Sequence, residues 1–227
     1  MAEDKKIVVV AGATGRTGKL VVEELAKRNF QVRAMVRSAS SASWLQQEGV
    51  QVVEGDLTSI TSLEKVMEGA QFVISAIGSK KPFNKKENNK VDNIGNQNLA
   101  KAAKAKNIRL FVVVSSVGAG NSKNALPFIF RLLMGPVLKV KTISEEFIRT
   151  CGLSYTIIRP GGLKDTELSG KVAFGEGGKV TGSVSRKQIA KVCVDALENP
   201  SMKNRTFEVA DASTVKEELR PLLVTIK

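Results

Sequence analysis

Short runs of β-branched and apolar residues alternate along the chain with longer segments of helical period. Runs at Ile7–Ala11, Gln31–Val36, Val50–Glu54, Phe72–Ile77, Leu110–Ser115, Ser154–Arg159 and Thr206–Val209 are rich in Val and Ile and lack polar alternation. That pattern predicts strands buried on both faces of a parallel sheet. Between them, Val91, Ile94, Asn98/Leu99 and Ala102 keep helical spacing, as do Ile189, Cys193 and Ala196/Leu197. Asn29-Phe30, Glu48-Gly49, Glu68-Gly69, Cys151-Gly152 and Asn199-Pro200 sit where helices should stop. Repeated β-α units of this kind predict a doubly wound α/β sheet of about seven strands with right-handed crossovers. Neither an internal repeat nor a linker divides the chain, so a single domain over residues 1–227 is expected.

Three stretches break the rhythm at the carboxyl edge of the sheet, where ligands bind in such folds. Gly78–Lys90 is polar and basic, with Lys80, Lys81, Lys85, Lys86 and Lys90. Gly118–Pro136 begins polar and ends apolar, and Gly161–Gly182 is rich in glycine. The last two, within residues 118–136 and 161–182, are expected to be irregular and to supply a small substrate region.

Composition narrows the chemistry. The chain of 227 residues has no histidine, two cysteines and one tyrosine, Tyr155. A Ser-His-Asp triad, a Cys-His pair and a His-based zinc site are excluded, and two lone cysteines make no Cys₄ site. Proton transfer must use Tyr, Lys, Ser/Thr, a carboxylate or water. With 35 basic and 22 acidic side chains the net charge is +13, which attracts anions such as nucleic acid, anionic lipid, acidic protein or phosphate-bearing cofactors. With one Trp and one Tyr there is no stacking platform, so nucleic acid is not an expected partner. An acidic protein meeting the Lys80–Lys90 segment is the expected protein partner. The opening Met-Ala-Glu-Asp-Lys-Lys leads directly into a strand, with no visible targeting segment. No apolar run reaches the roughly 20 residues of a membrane span; Ala125–Leu138 is broken by Arg131 and two prolines. A cytoplasmic location is expected, or the plastid stroma if a transit peptide has been removed.

The first strand runs into Gly12-Ala13-Thr14-Gly15-Arg16-Thr17-Gly18 and then a helical pattern. Glycines so placed permit a tight turn, let backbone N–H groups approach a pyrophosphate and allow close helix packing. The second strand ends Val36-Arg37-Ser38, with no acid for a ribose 2′-hydroxyl. The planar guanidinium of Arg37 suits a 2′-phosphate, and Arg16 can reach the same region, which favours NADP(H) over NAD(H).

These motifs, with Gly55-Asp56-Leu57, Val91-Asp92-Asn93-Ile94-Gly95, Val114-Ser115-Ser116-Val117-Gly118 and Tyr155-Thr156-Ile157-Ile158-Arg159-Pro160-Gly161-Gly162, resemble the atypical short-chain dehydrogenase/reductase superfamily over residues 5–212. Within it the chain is similar to the NAD(P)H-binding, NmrA-like and Tic62-like group. The resemblance implies a Rossmann-like fold, with Asp56 and Leu57 beside the adenine and Ala76, Ile77 and Gly78 along its ribose. Pro160, Gly161 and Gly162, up to Leu163, would lie on the nicotinamide side. The superfamily's Tyr-x-x-x-Lys pair maps its lysine onto Lys141, with Lys139 as a competing alignment. Four positions before Lys141 stands Val137, so the usual proton donor is missing. Ser116 matches the family's active-site serine, with Ser115 the near alternative; both are candidates, as is Lys141 for the nicotinamide ribose.

Two functions follow. One is a reductase passing hydride from NADPH to an acceptor that needs little enzymatic acid, a flavin, quinone or conjugated tetrapyrrole, as in the biliverdin/flavin reductase type. The other is a non-catalytic NADP(H) sensor, or an assembly or anchoring factor, that binds a protein partner.

Overall fold

The computed structural model describes residues 5–42, 45, 49–81 and 83–226. Strands fall at Ile7–Ala11 (β1), Gln31–Val36 (β2), Gln51–Glu54 (β3), Phe72–Ser75 (β4), Leu110–Val114 (β5), Tyr155–Pro160 (β6), Gly162–Lys164 (β7), Val172–Gly175 (β8), Ser183–Ser185 (β9), Arg205–Asp211 (β10) and Leu223–Val224 (β11). Helices fall at Arg16–Lys27 (α1), Ile60–Val66 (α2), Lys85–Asn88 (α3), Asn96–Ala105 (α4), Phe128–Thr150 (α5) and Arg186–Glu198 (α6). A π-helical segment, Asn89–Gly95, joins α3 to α4.

The seven expected strands are β1 to β6 and β10. They lie parallel in the order β3-β2-β1-β4-β5-β6-β10. This is the Rossmann arrangement, and its order reverses between β1 and β4. Alternate side chains build two separate cores. Val8, Val10, Ala34, Val112, Ile158 and Phe207 meet α1 and α6 on one face. Val9, Ala11, Val73, Phe111, Val113 and Ile157 meet α2, α4 and α5 on the other. Apolar residues at every strand position are what two covered faces require.

The sheet extends beyond the expected seven strands. Among the described residues β8 pairs antiparallel with β10, and β11 pairs antiparallel with β8, giving nine strands in all. A separate two-stranded sheet pairs β7 with β9. The zone 161–182 therefore holds strands where irregular chain was expected. Its strands are only three or four residues long and are bounded by Gly170, Gly177 and Gly178 at positive φ, so the glycines concealed them.

The zone 118–136 differs more. Gly120–Ala125 is a 3₁₀ turn, but from Phe128 onward the chain is helical, and Pro136 lies inside α5. Proline removes one i→i−4 bond. The carbonyl left over is that of Leu132, in an exposed turn where water can reach it. The helix stops were placed well. Asn29, Gly69 and Gly152 all have positive φ, and Asn199 caps α6. Gly49 also has positive φ, while Glu48 lies outside the described residues.

Ile94 departs from its expected apolar stripe: Leu99 and Ala102 are buried, but Ile94 is exposed. The π segment accommodates an extra residue per turn, which rotates the stripe. Asn93 and Asn96 turn inward instead.

Candidate functional site

The glycine loop lies at the point where the strand order reverses. Gly12 has φ +84°, and a Cβ there would come within 2.7 Å of the Ala76 carbonyl oxygen, so the loop rests directly on the end of β4. The Gly15 N–H donates to the Gly12 carbonyl at 2.9 Å and closes the turn. Gly18, in the first turn of α1, packs so tightly that a Cβ would fall 2.1 Å from the Gly12 carbonyl oxygen. Gly15 caps α1 without a side chain, and the first turn contains no acid. The first N–H groups of α1 therefore keep their donors for an anion.

A groove of about 380 Å³ opens beside this loop, lined by Gly12, Thr14, Gly15, Arg37, Leu57, Ala76, Ile77 and Gly78. Eight of the expected cofactor residues, drawn from four strand ends, thus share one surface. Met35, Val36, Gly55 and Val91 form more of its wall, and Ser79, Lys80, Lys81 and Glu87 its rim. In the sequence Val36, Gly55 and Val91 stand out only as parts of motifs and Lys80 and Lys81 only as a basic segment, while Met35, Ser79 and Glu87 carry no mark of the groove. The signal was present for the two lysines, which open the basic segment after β4. The cradle that extra Cβ atoms would fill, the free N–H donors of α1 and the cation at the end of β2 together fit a dinucleotide.

Other candidates lie outside the groove lining. The Asp56 carboxylate is exposed and accepts from the N–H and hydroxyl of Thr58, both at 2.8 Å. The Thr58 N–H is the main cause of a carboxyl pKa below the ordinary value. Asp56 thus ties the turn leading to Ser59, the residue that caps α2. Arg16 does not join Arg37: its guanidinium donates to Asp165 at 3.0 Å, and Asp165 also takes Arg186 at 2.7 Å. Among the described residues Arg37 has no carboxylate partner. Thr17, beside Arg16, is half-buried in the first turn of α1.

The α5 lysine is fixed by an ion pair. Lys141 Nζ lies 2.8 Å from Asp92 Oδ1, and the other Asp92 oxygen accepts the Ser79 N–H at 3.0 Å. This chain of contacts joins α5 to the Gly78-Ser79 loop at the groove rim. Lys139, the competing alignment, is exposed. Val137 is buried at 8% exposure. The Ser116 hydroxyl, half-buried, donates to the Val117 carbonyl at 2.9 Å.

Ser115 is committed elsewhere. Its hydroxyl is buried and donates to Glu145 Oε1 at 2.5 Å, which leaves it only acceptor capacity toward a cofactor. Glu145 in turn accepts from Arg159 at 2.7 and 3.1 Å and from Arg149 at 2.8 Å. Arg159 also donates to Asn121 at 2.5 Å and to Glu208 at 3.2 Å. Burial opposes ionisation of Glu145, but Arg159, Ser115 and Arg149 outweigh it and hold the carboxyl below its ordinary value. Glu208 goes the other way, pushed up by burial. This cluster borders a second cavity of about 540 Å³ over β6 and β10. Its arginines are already matched, Arg205 with Glu176 and Arg149 with Glu145.

Pro160 ends β6, and the chain then crosses a backbone. Gly161 N–H donates to Val209 and Gly162 N–H to Gly182, at 2.9 and 2.8 Å. A Cβ on Gly161 would fall 2.1 Å from the Gly182 carbonyl oxygen, so only glycine fits.

A parallel sheet with its glycine cradle at the order reversal defines a Rossmann-type dinucleotide-binding protein. The chain belongs to the NAD(P)H-binding family, whose model matches residues 12–200. It is 37% identical to the uncharacterized chloroplastic protein At2g34460 of Arabidopsis thaliana, over 98% of this chain and 83% of that protein. It is 32% identical to the chloroplastic protein TIC 62 of Pisum sativum over 88% of this chain, which spans 42% of that longer relative. Its fold is similar to that of ChuY, an anaerobillin reductase from Escherichia coli O157:H7, at a TM-score of 0.80 and 25% identity, covering 91% of this chain and 98% of ChuY. These likenesses place the chain in the atypical short-chain dehydrogenase/reductase, NmrA-like group, which has reductases among its members.

Proposed function

We propose that this chain is an NADP(H)-dependent reductase that transfers hydride to a flat, conjugated acceptor of flavin, quinone or tetrapyrrole type without a tyrosine donor. The observation that carries the reading is the Lys141–Asp92 pair beside a buried Val137: the binding cation is kept where the usual proton donor is replaced. In this reading residues 1–227 form one unit, with substrate-side elements within 118–136 and 161–182. Gly12, Thr14, Gly15, Thr17 and Gly18 hold the pyrophosphate, and Arg37 holds the 2′-phosphate. Ala76, Ile77 and Gly78 flank the adenosine ribose, with Leu57 against the adenine. Lys141 holds the nicotinamide ribose, and Pro160 to Gly162 border the nicotinamide.

When bound, the reduced nicotinamide supplies a hydride. Ser116 orients an acceptor oxygen or the carboxamide; with no histidine to activate it, it is a poor acid. Water supplies the balancing proton, which a conjugated acceptor accepts readily after reduction, so positioning dominates the rate. The likeness to an anaerobillin reductase supports the enzymatic reading. The chloroplastic relative supports the plastid stroma as its location.

A second reading, a non-catalytic NADP(H) sensor or anchoring factor, is favoured by the Ser116 hydroxyl donating to its neighbour's carbonyl rather than facing outward as a donor. One assay separates the two. Pure protein with NADPH is followed at the reduced-nicotinamide absorbance while flavin, quinone and biliverdin are added separately. Turnover with one of them, reduced in Ser116→Ala, is expected. Tight NADPH binding with no turnover across the panel would establish the sensor instead.

A further inference from the structure

Helices α1 and α6 pack side by side on one face of the sheet. Their far ends are locked together: Arg28, the residue after α1, donates to Asp195 at 2.7 Å and to Glu198 at 2.9 Å near the end of α6. Their first residues, Arg16 and Arg186, are joined by a single acid. Asp165 takes Arg186 on Oδ1 at 2.7 Å and Arg16 on Oδ2 at 3.0 Å, so one carboxylate oxygen serves each arginine.

The two halves of this bridge are unequal. Asp165 follows β7 directly, and the pairing of β7 with β9 sets Lys164 opposite Ser185, the neighbour of Arg186. Arg186 is buried, and Lys187 holds Glu167 of the same segment. Upstream, Gly161 and Gly162 are tied to Val209 and Gly182 by backbone hydrogen bonds. Asp165 is therefore anchored on the α6 side by backbone and side chains together. Arg16 is different: its side chain is 71% exposed, and Asp165 is its one ion-pair partner among the described residues. The acid is fixed, and the arginine is a long arm that reaches it from the start of α1.

We propose that Asp165 is a positioning residue for the dinucleotide, holding Arg16 as a clasp over the pyrophosphate that must open before the cofactor leaves. The cofactor reading puts the pyrophosphate at the first turn of α1 and the nicotinamide beside Pro160 to Gly162. The Arg16–Asp165 contact joins those two banks. The clasp rests on that dinucleotide reading but not on the preference for NADP(H), because both cofactors carry the pyrophosphate. An exposed ion pair is weak, and exposed side chains change rotamer in picoseconds to nanoseconds, so the clasp slows release by the fraction of time it is closed. A pair of this kind can hold release back by up to about fivefold.

The test is stopped-flow fluorescence of NADPH release from the full chain, chased with excess NADP+, or of NADH chased with NAD+ if that is the cofactor bound. Release should quicken about three- to fivefold in Asp165→Asn and in Arg16→Gln. The double variant should release no faster than the faster single one, as expected of two residues that act through one contact. Asparagine keeps an oxygen for the buried Arg186, so the thermal midpoint of Asp165→Asn should match the wild type. Asp165→Glu, which keeps the charge, should keep most of the slow release. Release from Asp165→Asn at the wild-type rate overturns the clasp. Quickening in Arg16→Gln alone also overturns it, by making Arg16 a direct phosphate ligand, and so does acceleration that multiplies in the double variant. If the wild type binds neither dinucleotide, the cofactor reading falls and the clasp with it; if it binds one and these rates do not change, the clasp alone falls.

Discussion

Arg159→Met is expected to destabilise the protein by about 3–5 kcal/mol, because it removes the buried guanidinium that two buried carboxylates share. Arg159 is 1% exposed and bridges Glu145 on α5 to Glu208 on β10, both also 1% exposed. The pair of carboxylates makes the loss pH-dependent. In the wild type Glu145 is held below its ordinary value, so its contribution is present above the unfolded pKa and lost as pH falls through the folded one. In the variant both carboxyls should rise, Glu208 further above its unfolded value and Glu145 upward from its depressed one, since only Arg149 and Ser115 still hold it down. The folded variant then binds more protons than the folded wild type, and the deficit shrinks as pH is lowered toward the unfolded glutamate pKa of about 4.3. Urea denaturation at two pH values checks this. A deficit under about 1 kcal/mol, or one that grows on acidification, would show that the network is not the clamp described.

Arg37→Asp is expected to weaken NADPH by about 1.5–3 kcal/mol, the range for hydrogen bonds to a charged group, or roughly 10- to 150-fold. NADH, with no 2′-phosphate, should be little affected. Arg37 stands at the end of β2, lines the groove and has no carboxylate partner among the described residues, so it is available to an incoming phosphate. Affinities measured by fluorescence titration decide it. Equal weakening of both cofactors would mean that Arg37 only shapes the groove.

The frame of the molecule was legible because its signals are local. Val/Ile runs covered on both faces announced the parallel strands, and glycine or asparagine at positive φ announced the helix ends. The glycine loop was equally plain, since only glycine tolerates 2.7 Å and 2.1 Å approaches to backbone at positions 12 and 18. What escaped depends on partners distant in sequence. Val172–Gly175 is a strand because β10 lies beside it, a pairing that no local pattern encodes. Ser115 and Ser116 are adjacent and chemically alike, and only the fold shows that one reaches Glu145 while the other faces the Val117 carbonyl. Asp92 carried no sign of its tie to Lys141, forty-nine positions on. Pro136 misled in the opposite direction: a residue that usually ends helices is accommodated where its unpaired carbonyl partner meets water.

The NADP(H) assignment is tested most directly by calorimetric titration of the wild-type protein with NADPH and, separately, with NADH. A single site per chain that binds NADPH at least about tenfold more tightly is the predicted result. Equal affinity, or tighter binding of NADH, would contradict it.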